Sequence, residues 1–330
     1  MTSPLLKVED LVVTFKTDEG VVRAVDHVSF EVRKGEILGI VGESGCGKSV
    51  TAMSLLRLIP QPPGRIESGR AWFEGRDLLT IPVAELRKIR GAQISMIFQE
   101  PMTALSPLHR IGRQLVETQQ FHREVDFAAA WNVGIEWLKK VGIPDAEERM
   151  HAYPYELSGG MRQRVMIAMA LMLEPKLVIA DEPTTALDVT IQAQILALLK
   201  ELKSRDTAIM FITHNLGVVW EMCTRVAVMY ASEMVEVGEV EDLFRCPGHP
   251  YTRALLKANP GLVTAEKRLA TIPGQVPSAR SYPSGCRFRA RCPVALEACA
   301  SSHPLLQPFG DRHVRCLRAG EMLDGKEMQT

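Results

Sequence analysis

Short apolar runs alternate with stretches of helical period along this 330-residue chain. Residues 5–14 and 28–32 alternate or cluster apolar side chains as strands do, and a compact run follows at Ile37-Leu38-Gly39-Ile40-Val41. Val50 to Leu58 has helical character and is halted by Pro60, Pro62 and Pro63. Strand-like pieces return at 71–73 and at Ile94 to Phe98. From about 101 to 165 the pattern becomes helical (111–120, 127–141), interrupted by Pro107, Pro144 and Pro154. Strand character resumes at Lys176-Leu177-Val178-Ile179-Ala180. Ile191, Ile195, Leu198, Leu199 and Leu202 then form an apolar stripe at helical spacing, followed by strands at 208–213, 225–230 and 234–237. Strands alternating with helices predict an α/β fold with a mostly parallel sheet covered on both faces, into which 101–165 is inserted as a helical subdomain. After about 245 the chain turns rich in Pro, Arg and Cys, which predicts a separate C-terminal module.

Composition narrows the function classes. Lys+Arg and Asp+Glu are equal at 39 each, without the basic excess expected of a nucleic-acid-binding protein. Residues Met1 to Asp10 contain no apolar signal-peptide core. The most apolar stretch, Val165 to Leu173, is far short of a bilayer crossing. These features predict a soluble, cytosolic protein that reaches a membrane through a partner.

Gly42-Glu43-Ser44-Gly45-Cys46-Gly47-Lys48-Ser49 fits the phosphate-loop pattern and stands between the 37–41 strand and the following helix. The glycines let successive N–H groups turn toward phosphate oxygens, and the helix N-terminus adds its dipole. Lys48 can reach the β- and γ-phosphates and Ser49 can ligate Mg²⁺, so ATP and Mg²⁺ are the expected ligands. Leu177 to Ala180 ends in Asp181-Glu182, two carboxylates suited to hold Mg²⁺ and to activate a water. Between them, Ser158-Gly159-Gly160-Met161 opens a helix and forms a second anion cradle. One chain has no evident need for two such cradles, which points to two molecules sharing each nucleotide.

Together these motifs resemble the ATP-binding subunit of ATP-binding-cassette (ABC) transporters over roughly residues 5–245. Leu157 to Met161 is similar to the family signature LSGGQ, with Met161 replacing Gln. Gln99 matches the Q-loop, Ala186-Leu187-Asp188 the D-loop, and His214 the switch histidine, with Asn215 where Asp is usual. Phe15 matches the aromatic that stacks on adenine. The resemblance implies a P-loop NTPase (RecA-like) core with an antiparallel β subdomain and an inserted α-helical subdomain. Its parts are 1–100 and 166–245 for the core, 101–165 for the helical insertion and 246–330 for the extension. It also implies ATPase activity, with Gly42, Ser44, Gly45, Cys46, Gly47, Lys48, Ser49, Asp181, Phe15, Gln99, Glu182 and His214 serving the chain's own nucleotide. Mg²⁺ would be held by Ser49, Gln99 and Asp181. Ser158, Gly159, Gly160, Met161 and Asp188 would serve the nucleotide of a facing cassette.

Gly248-His249-Pro250-Tyr251 resembles the segment that follows the cassette in oligopeptide and dipeptide importers, a subfamily that also includes nickel and glutathione systems. The implied partners are two integral-membrane permease subunits, a paralogous second ATPase (a homodimer being the alternative) and an extracytoplasmic peptide-binding protein. The implied location is the cytoplasmic face of the membrane, as a peripheral subunit. Glu100 to Pro107 would lie beside the groove that receives a permease helix.

Cys286, Cys292, Cys299 and Cys316 are separated by five, six and sixteen residues. Four thiolates suit Zn²⁺ or a [4Fe–4S] cluster, and the absence of a tight Cys pair favours the cluster, as does the resemblance. Arg287, Arg289, Arg291, Arg312 and Arg315 crowd these positions and would offset an anionic cluster. His303 and His313 are surface residues in this reading, and Cys223 and Cys246 inert thiols. The competing classes are a soluble ABC ATPase, disfavoured by the single cassette and neutral charge, and an ATPase switched by the redox state of its cysteines.

Overall fold

The computed structural model describes residues 3–100, 104–185, 187–259 and 271–324. The chain forms two compact units, residues 1–81 with 212–330, and residues 82–211.

In the first unit, β1 (Leu6–Thr17), β2 (Gly20–Val32), β4 (Gly64–Phe73) and β5 (Arg76–Asp77) make an antiparallel sheet ordered β2-β1-β4-β5. This is the expected antiparallel subdomain, its strands longer than the apolar runs that announced them because the exposed face is polar. A second sheet has the order β11-β12-β10-β9-β3 within this unit. Its inner strand β3 (Ile37–Val41) is buried at every residue and runs parallel to β9 (Arg225–Tyr230), with Ile40 opposite Ala227. Helix α1 (Lys48–Leu55) leaves β3 through the phosphate loop, and α8 (Leu216–Met222) packs on β3.

The edge of that sheet is antiparallel, where sequence periodicity predicts mostly parallel strands. Ala231 and Ser232, with φ of 46° and 70°, form a two-residue turn between β9 and β10 (Glu233–Glu239). So short a connection can only reverse the chain. The extension then adds β12 (Arg312–Val314) to β10, with Glu236 opposite Val314, and β11 (Gln307–Phe309) to β12. The residues after 245 are therefore knitted into the sheet that holds β3 and β9; the separate C-terminal module expected from composition is not what forms. Helices α9 (Val240–Arg245), α10 (Pro250–Lys257) and α11 (Ala319–Leu323) complete the unit.

The second unit contains β6 (Ile94–Ile97) parallel to β7 (Leu177–Asp181), with the order β8-β7-β6, β8 being Ala208–Ile212. Its helices are α2 (Val83–Ile89), α3 (Ile111–Gln120), α4 (Phe127–Lys140), α5 (Ala146–Arg149), α6 (Gly159–Leu171) and α7 (Val189–Leu202). The helices expected at 111–120 and 127–141 are α3 and α4. Asp126 caps α4 by accepting from the Ala129 N–H at 2.8 Å. Helix α6 packs against β6, α3, α4 and α7, so its two ends are fixed by the interior of this unit.

Candidate functional site

The phosphate loop follows directly from the register of β3. Gly42 has φ of 154° and Gly47 has φ of 102°. A Cβ would fall 2.2 Å from the Met229 carbonyl oxygen at Gly42 and 2.2 Å from that of Ala24 at Gly47. Only glycine lets the loop turn this tightly against β9 and β2. Ser44 and Gly45 at its tip are exposed, and Cys46 is buried, which raises its thiol pKa. Lys48 folds back over the loop, its Nζ donating to the carbonyls of Gly42 at 2.8 Å and Glu43 at 3.2 Å. An ammonium held by neutral carbonyl acceptors is poised to exchange them for phosphate oxygens. Ser49 follows at the start of α1, half-buried, and Thr51 donates to Gly47 O at 2.9 Å.

Two more of the expected residues belong to this unit. Phe15, half-buried near the end of β1, lies opposite Gly64 with its ring over that residue; a Cβ there would come within 2.9 Å of the ring. His214 is exposed at the end of β8. Asn215 caps α8, its Oδ1 accepting from the Gly217 N–H at 2.9 Å, so an amide performs the capping that an Asp carboxylate would.

In the second unit, the parallel pairing of β6 and β7, with Ile97 opposite Ala180, brings their C-terminal ends side by side. Asp181 is buried, and Glu182 has left-handed backbone with φ of 45°. Glu182 Oε2 accepts from Gln99 Nε2 at 3.1 Å and from Thr185 Oγ1 at 2.8 Å. Residues 83 apart in sequence thus meet at one carboxylate oxygen. Glu100 and Ala104 to Pro107 are described; Pro101, Met102 and Thr103 lie outside the described residues.

Helix α6 begins at Gly159 with Ser158 as its cap, Oγ accepting from the Met161 N–H at 3.3 Å. Ser158 and Gly159 are exposed, and a Cβ on Gly159 would meet nothing within 4 Å. The second anion cradle therefore opens outward from its own unit. Asp188 caps α7 through Ile191 N–H at 2.9 Å; Leu187 is described, while Ala186 lies outside the described residues.

Cys286, Cys292, Cys299 and Cys316 line one cavity together with His249, Phe288 and Val294. None of the four is in a disulfide. Burial, first of all, pushes the Cys286 thiol up to about 11 and the Cys316 thiol up to about 12. Among the described residues, however, no group of three or more His, Cys, Asp and Glu side chains is close enough to hold a metal ion. The expectation of a formed Zn²⁺ or cluster-binding group at these cysteines is not supported. A tetrahedral zinc site needs sulfurs about 3.8 Å apart, and this grouping does not converge that tightly.

The arginines around the cysteines also have other work than the one expected. Arg287 pairs with buried Asp26 and, at 3.4 Å, with Glu233. Arg289 donates to the carbonyls of Ser284 and Ala300. Arg312 donates to Cys246 O and Arg315 to Met234 O. Arg287 and Arg315 fasten the extension to earlier parts of the chain, while Arg289 and Arg312 bond within the extension itself. His303 is half-exposed and bonds Glu233 at 2.8 Å. Of the remaining thiols, Cys223 is buried under β3 and Cys246 is half-buried against α11.

Sequence reasoning assigned no role to Glu43. Its N–H donates to Tyr251 Oη at 3.0 Å, and its Oε2 accepts from Arg291 Nη1 at 3.0 Å. Tyr251 comes from the His-Pro-Tyr segment. His249 caps α10 there by accepting from the Tyr251 N–H at 3.0 Å, and Pro250 occupies the first helical position.

Comparison with known proteins bears on the whole chain. The ABC transporter family pattern matches residues 25–185, and the oligopeptide/dipeptide transporter C-terminal region matches residues 235–299. The oligopeptide transport ATP-binding protein OppD of Escherichia coli is 51% identical over 320 residues, covering 97% of this chain and 94% of that protein. This chain belongs to the ABC transporter ATP-binding proteins. The dipeptide transport ATP-binding protein DppD of Haemophilus influenzae is 47% identical over 313 residues, covering 94% of each chain. Among solved structures, a dimeric post-hydrolysis state of the ATP-binding cassette MJ0796 bound to ADP and Pi aligns with a TM-score of 0.64. It is 26% identical and covers 71% of this chain and 98% of that one. Among the described residues no helix is long and apolar enough to cross a membrane.

Proposed function

We propose that this chain is the ATP-hydrolysing subunit of an importer that takes up oligopeptides or dipeptides through separate permease subunits. The observation that carries the reading is Glu182, a strand-end carboxylate held by Gln99 and Thr185, in a chain whose Lys48 already lies over a phosphate loop. Peptide as the cargo rests on likeness to OppD and DppD and on the matched C-terminal region.

In this reading Lys48 and the loop N–H groups bind the phosphates, and Phe15 stacks on the adenine. Ser49, Gln99 and Asp181 would hold Mg²⁺, which supplies charge neutralisation at the β- and γ-phosphates when bound. A magnesium ion takes most of its ligands from water and phosphate oxygens, so a cluster of three protein carboxylates is not required. Glu182 takes a proton from the attacking water, and His214 contacts the γ-phosphate. Ser158, Gly159, Gly160, Met161 and Asp188 serve a nucleotide bound to a second cassette. The outward-opening cradle at Gly159 supports that arrangement, as does the likeness to a dimeric cassette.

The partners are two permease subunits, a paralogous ATPase with a homodimer as the alternative, and an extracytoplasmic binding protein, at the cytoplasmic face of the membrane. ATPase activity per chain is expected to rise with protein concentration and again in the assembled transporter. A rate independent of dilution and of any companion overturns the shared-site reading.

A [4Fe–4S] cluster in the extension is a second part of the proposal; four cysteines free of disulfides line one cavity there and would have to draw together to hold it. Iron and acid-labile sulfide at about four each per chain after anaerobic purification are the expected result. Stoichiometric zinc, or no metal, overturns it.

A further inference from the structure

The His-Pro-Tyr segment and the cysteine-rich stretch meet at one residue of the phosphate loop. Glu43 is bonded through its backbone N–H, its backbone carbonyl and one of its two carboxylate oxygens. Its N–H donates to Tyr251 Oη at 3.0 Å, its Oε2 accepts from Arg291 Nη1 at 3.0 Å, and its carbonyl accepts from Lys48 Nζ at 3.2 Å. Neither partner from the extension is loosely placed. Tyr251 is fully buried and packs against Tyr230, ring centroids 4.6 Å apart, and edge-on against Phe288 at 5.5 Å. The Arg291 side chain is 6% exposed and also donates from Nε to Pro273 O at 2.9 Å. It lies over the Tyr230 ring at 5.7 Å. Arg291 directly precedes Cys292, so its position is tied to the cysteine-lined cavity.

We propose that Tyr251 and Arg291 are positioning residues for the phosphate loop, through which the C-terminal extension sets the chain's affinity for nucleoside triphosphate. The inference deepens the proposed function and rests on that loop being the nucleotide site. A phosphate loop works by presenting N–H groups already aimed at the ligand, and ordering left until binding is subtracted from affinity. Fixing Glu43 on both its backbone and its carboxylate fixes the first turn of the loop, next to Gly42, whose φ of 154° admits no side chain. Glu43 Oε1 is buried with no hydrogen-bond partner among the described residues. Removing the guanidinium would therefore leave a partly buried carboxylate uncompensated, and the loop would move to hydrate it. Tyr251 acts on the same turn by a different bond, so the two changes affect nucleotide binding for the same reason.

The test uses the full-length chain, titrated with a fluorescent N-methylanthraniloyl derivative of ATP in the presence of Mg²⁺, with thermal unfolding recorded for every variant. Arg291→Gln and Glu43→Gln are each expected to weaken binding on the order of three- to tenfold, less than the full worth of a charged hydrogen bond because the bond orders the loop and does not touch the ligand. The double variant is expected to be no weaker than the weaker single, because both remove one interaction. Arg291→Lys should recover most of the loss. Tyr251→Phe, which keeps the ring and deletes only the hydroxyl, should weaken binding about two- to fivefold while retaining the fold. Arg312→Gln cuts an extension bond to Cys246 O away from the loop and should leave affinity unchanged.

Unchanged affinity in Arg291→Gln overturns the inference, as does multiplication of the single losses in the double variant. So does an equal loss in Arg312→Gln. Should Arg291→Gln fail to fold, Tyr251→Phe decides: wild-type affinity refutes the clamp. Failure of the wild-type chain to bind the probe overturns the nucleotide site itself, a result distinct from all of these.

Discussion

Replacing Glu182 with Gln separates catalysis from binding and folding at a single atom pair. The side chain keeps its size and loses its charge. Its Oε2 accepts from Gln99 at 3.1 Å and Thr185 at 2.8 Å, both exposed residues. A glutamine still offers one oxygen to these donors, so the loss is the difference between charged and neutral hydrogen bonds, about 1 kcal/mol at a partly exposed position. The left-handed backbone, φ of 45°, is no worse for Gln than for Glu, so no further strain enters. Chemistry is affected far more. An amide cannot take a proton from water, and general base catalysis contributes roughly 10²- to 10⁴-fold. That is about 3–5 kcal/mol on the barrier at 1.36 kcal/mol per tenfold. Glu182→Gln should therefore shift nucleotide affinity by less than about twofold while phosphate release by the assembled transporter falls by two to four orders of magnitude. Phosphate release near the wild-type rate would refute the assignment of Glu182 as base. A loss of affinity as large as the loss of turnover would show that the carboxylate serves binding instead.

Two further expectations follow from single side chains. Ser158→Ala removes the cap on α6, costing about 1 kcal/mol of stability, yet should leave ATP binding by the isolated chain unchanged and lower hydrolysis in the assembled transporter at least about tenfold. Weakened binding by the isolated chain would contradict a cradle that serves the facing cassette. His249 is buried and accepts from the Tyr251 N–H; burial first, then the positive charge of Arg315, lower its pKa from 6.5 to about 3. The unfolded chain takes up a proton there below pH 6.5 and the folded chain does not. Its contribution is complete above 6.5 and is lost as pH falls toward 3, by about 1.4 kcal/mol per pH unit. Urea midpoints at pH 7.5 and 5.0 should show this loss in the wild type and a smaller one in His249→Asn. Identical pH dependence in the two proteins would place the effect elsewhere.

Much of the candidate site was legible in the sequence because its determinants are local. A phosphate loop needs glycines at set intervals between a strand and a helix. Gly42 and Gly47 do occupy conformations that a side chain would forbid. The caps Ser158 and Asp188 act on N–H groups three residues away, and the helices at 111–120 and 127–140 declare themselves by period. The parallel strands ending at Ile97 and Asp181 are likewise short apolar runs whose C-terminal ends carry the polar chemistry.

The extension was misread for the opposite reason. Its content of Pro, Arg and Cys describes a stretch with little apolar surface of its own, and composition alone suggests independence or a metal. In the folded chain β12 extends the sheet from β10 through Glu236 and Val237, and Arg287 reaches Asp26 across 261 residues of sequence. The same distance in sequence hides the tie of Tyr251 and Arg291 to Glu43, separated by 208 and 248 residues. Sequence alone determined where the glycine-rich turn and the capped helix starts lie, because those segments carry their geometry in their own backbone. Only the tertiary structure decided what holds Glu43 and what the arginines do, because partners chosen by close packing and charge complementarity leave no periodic trace along the chain.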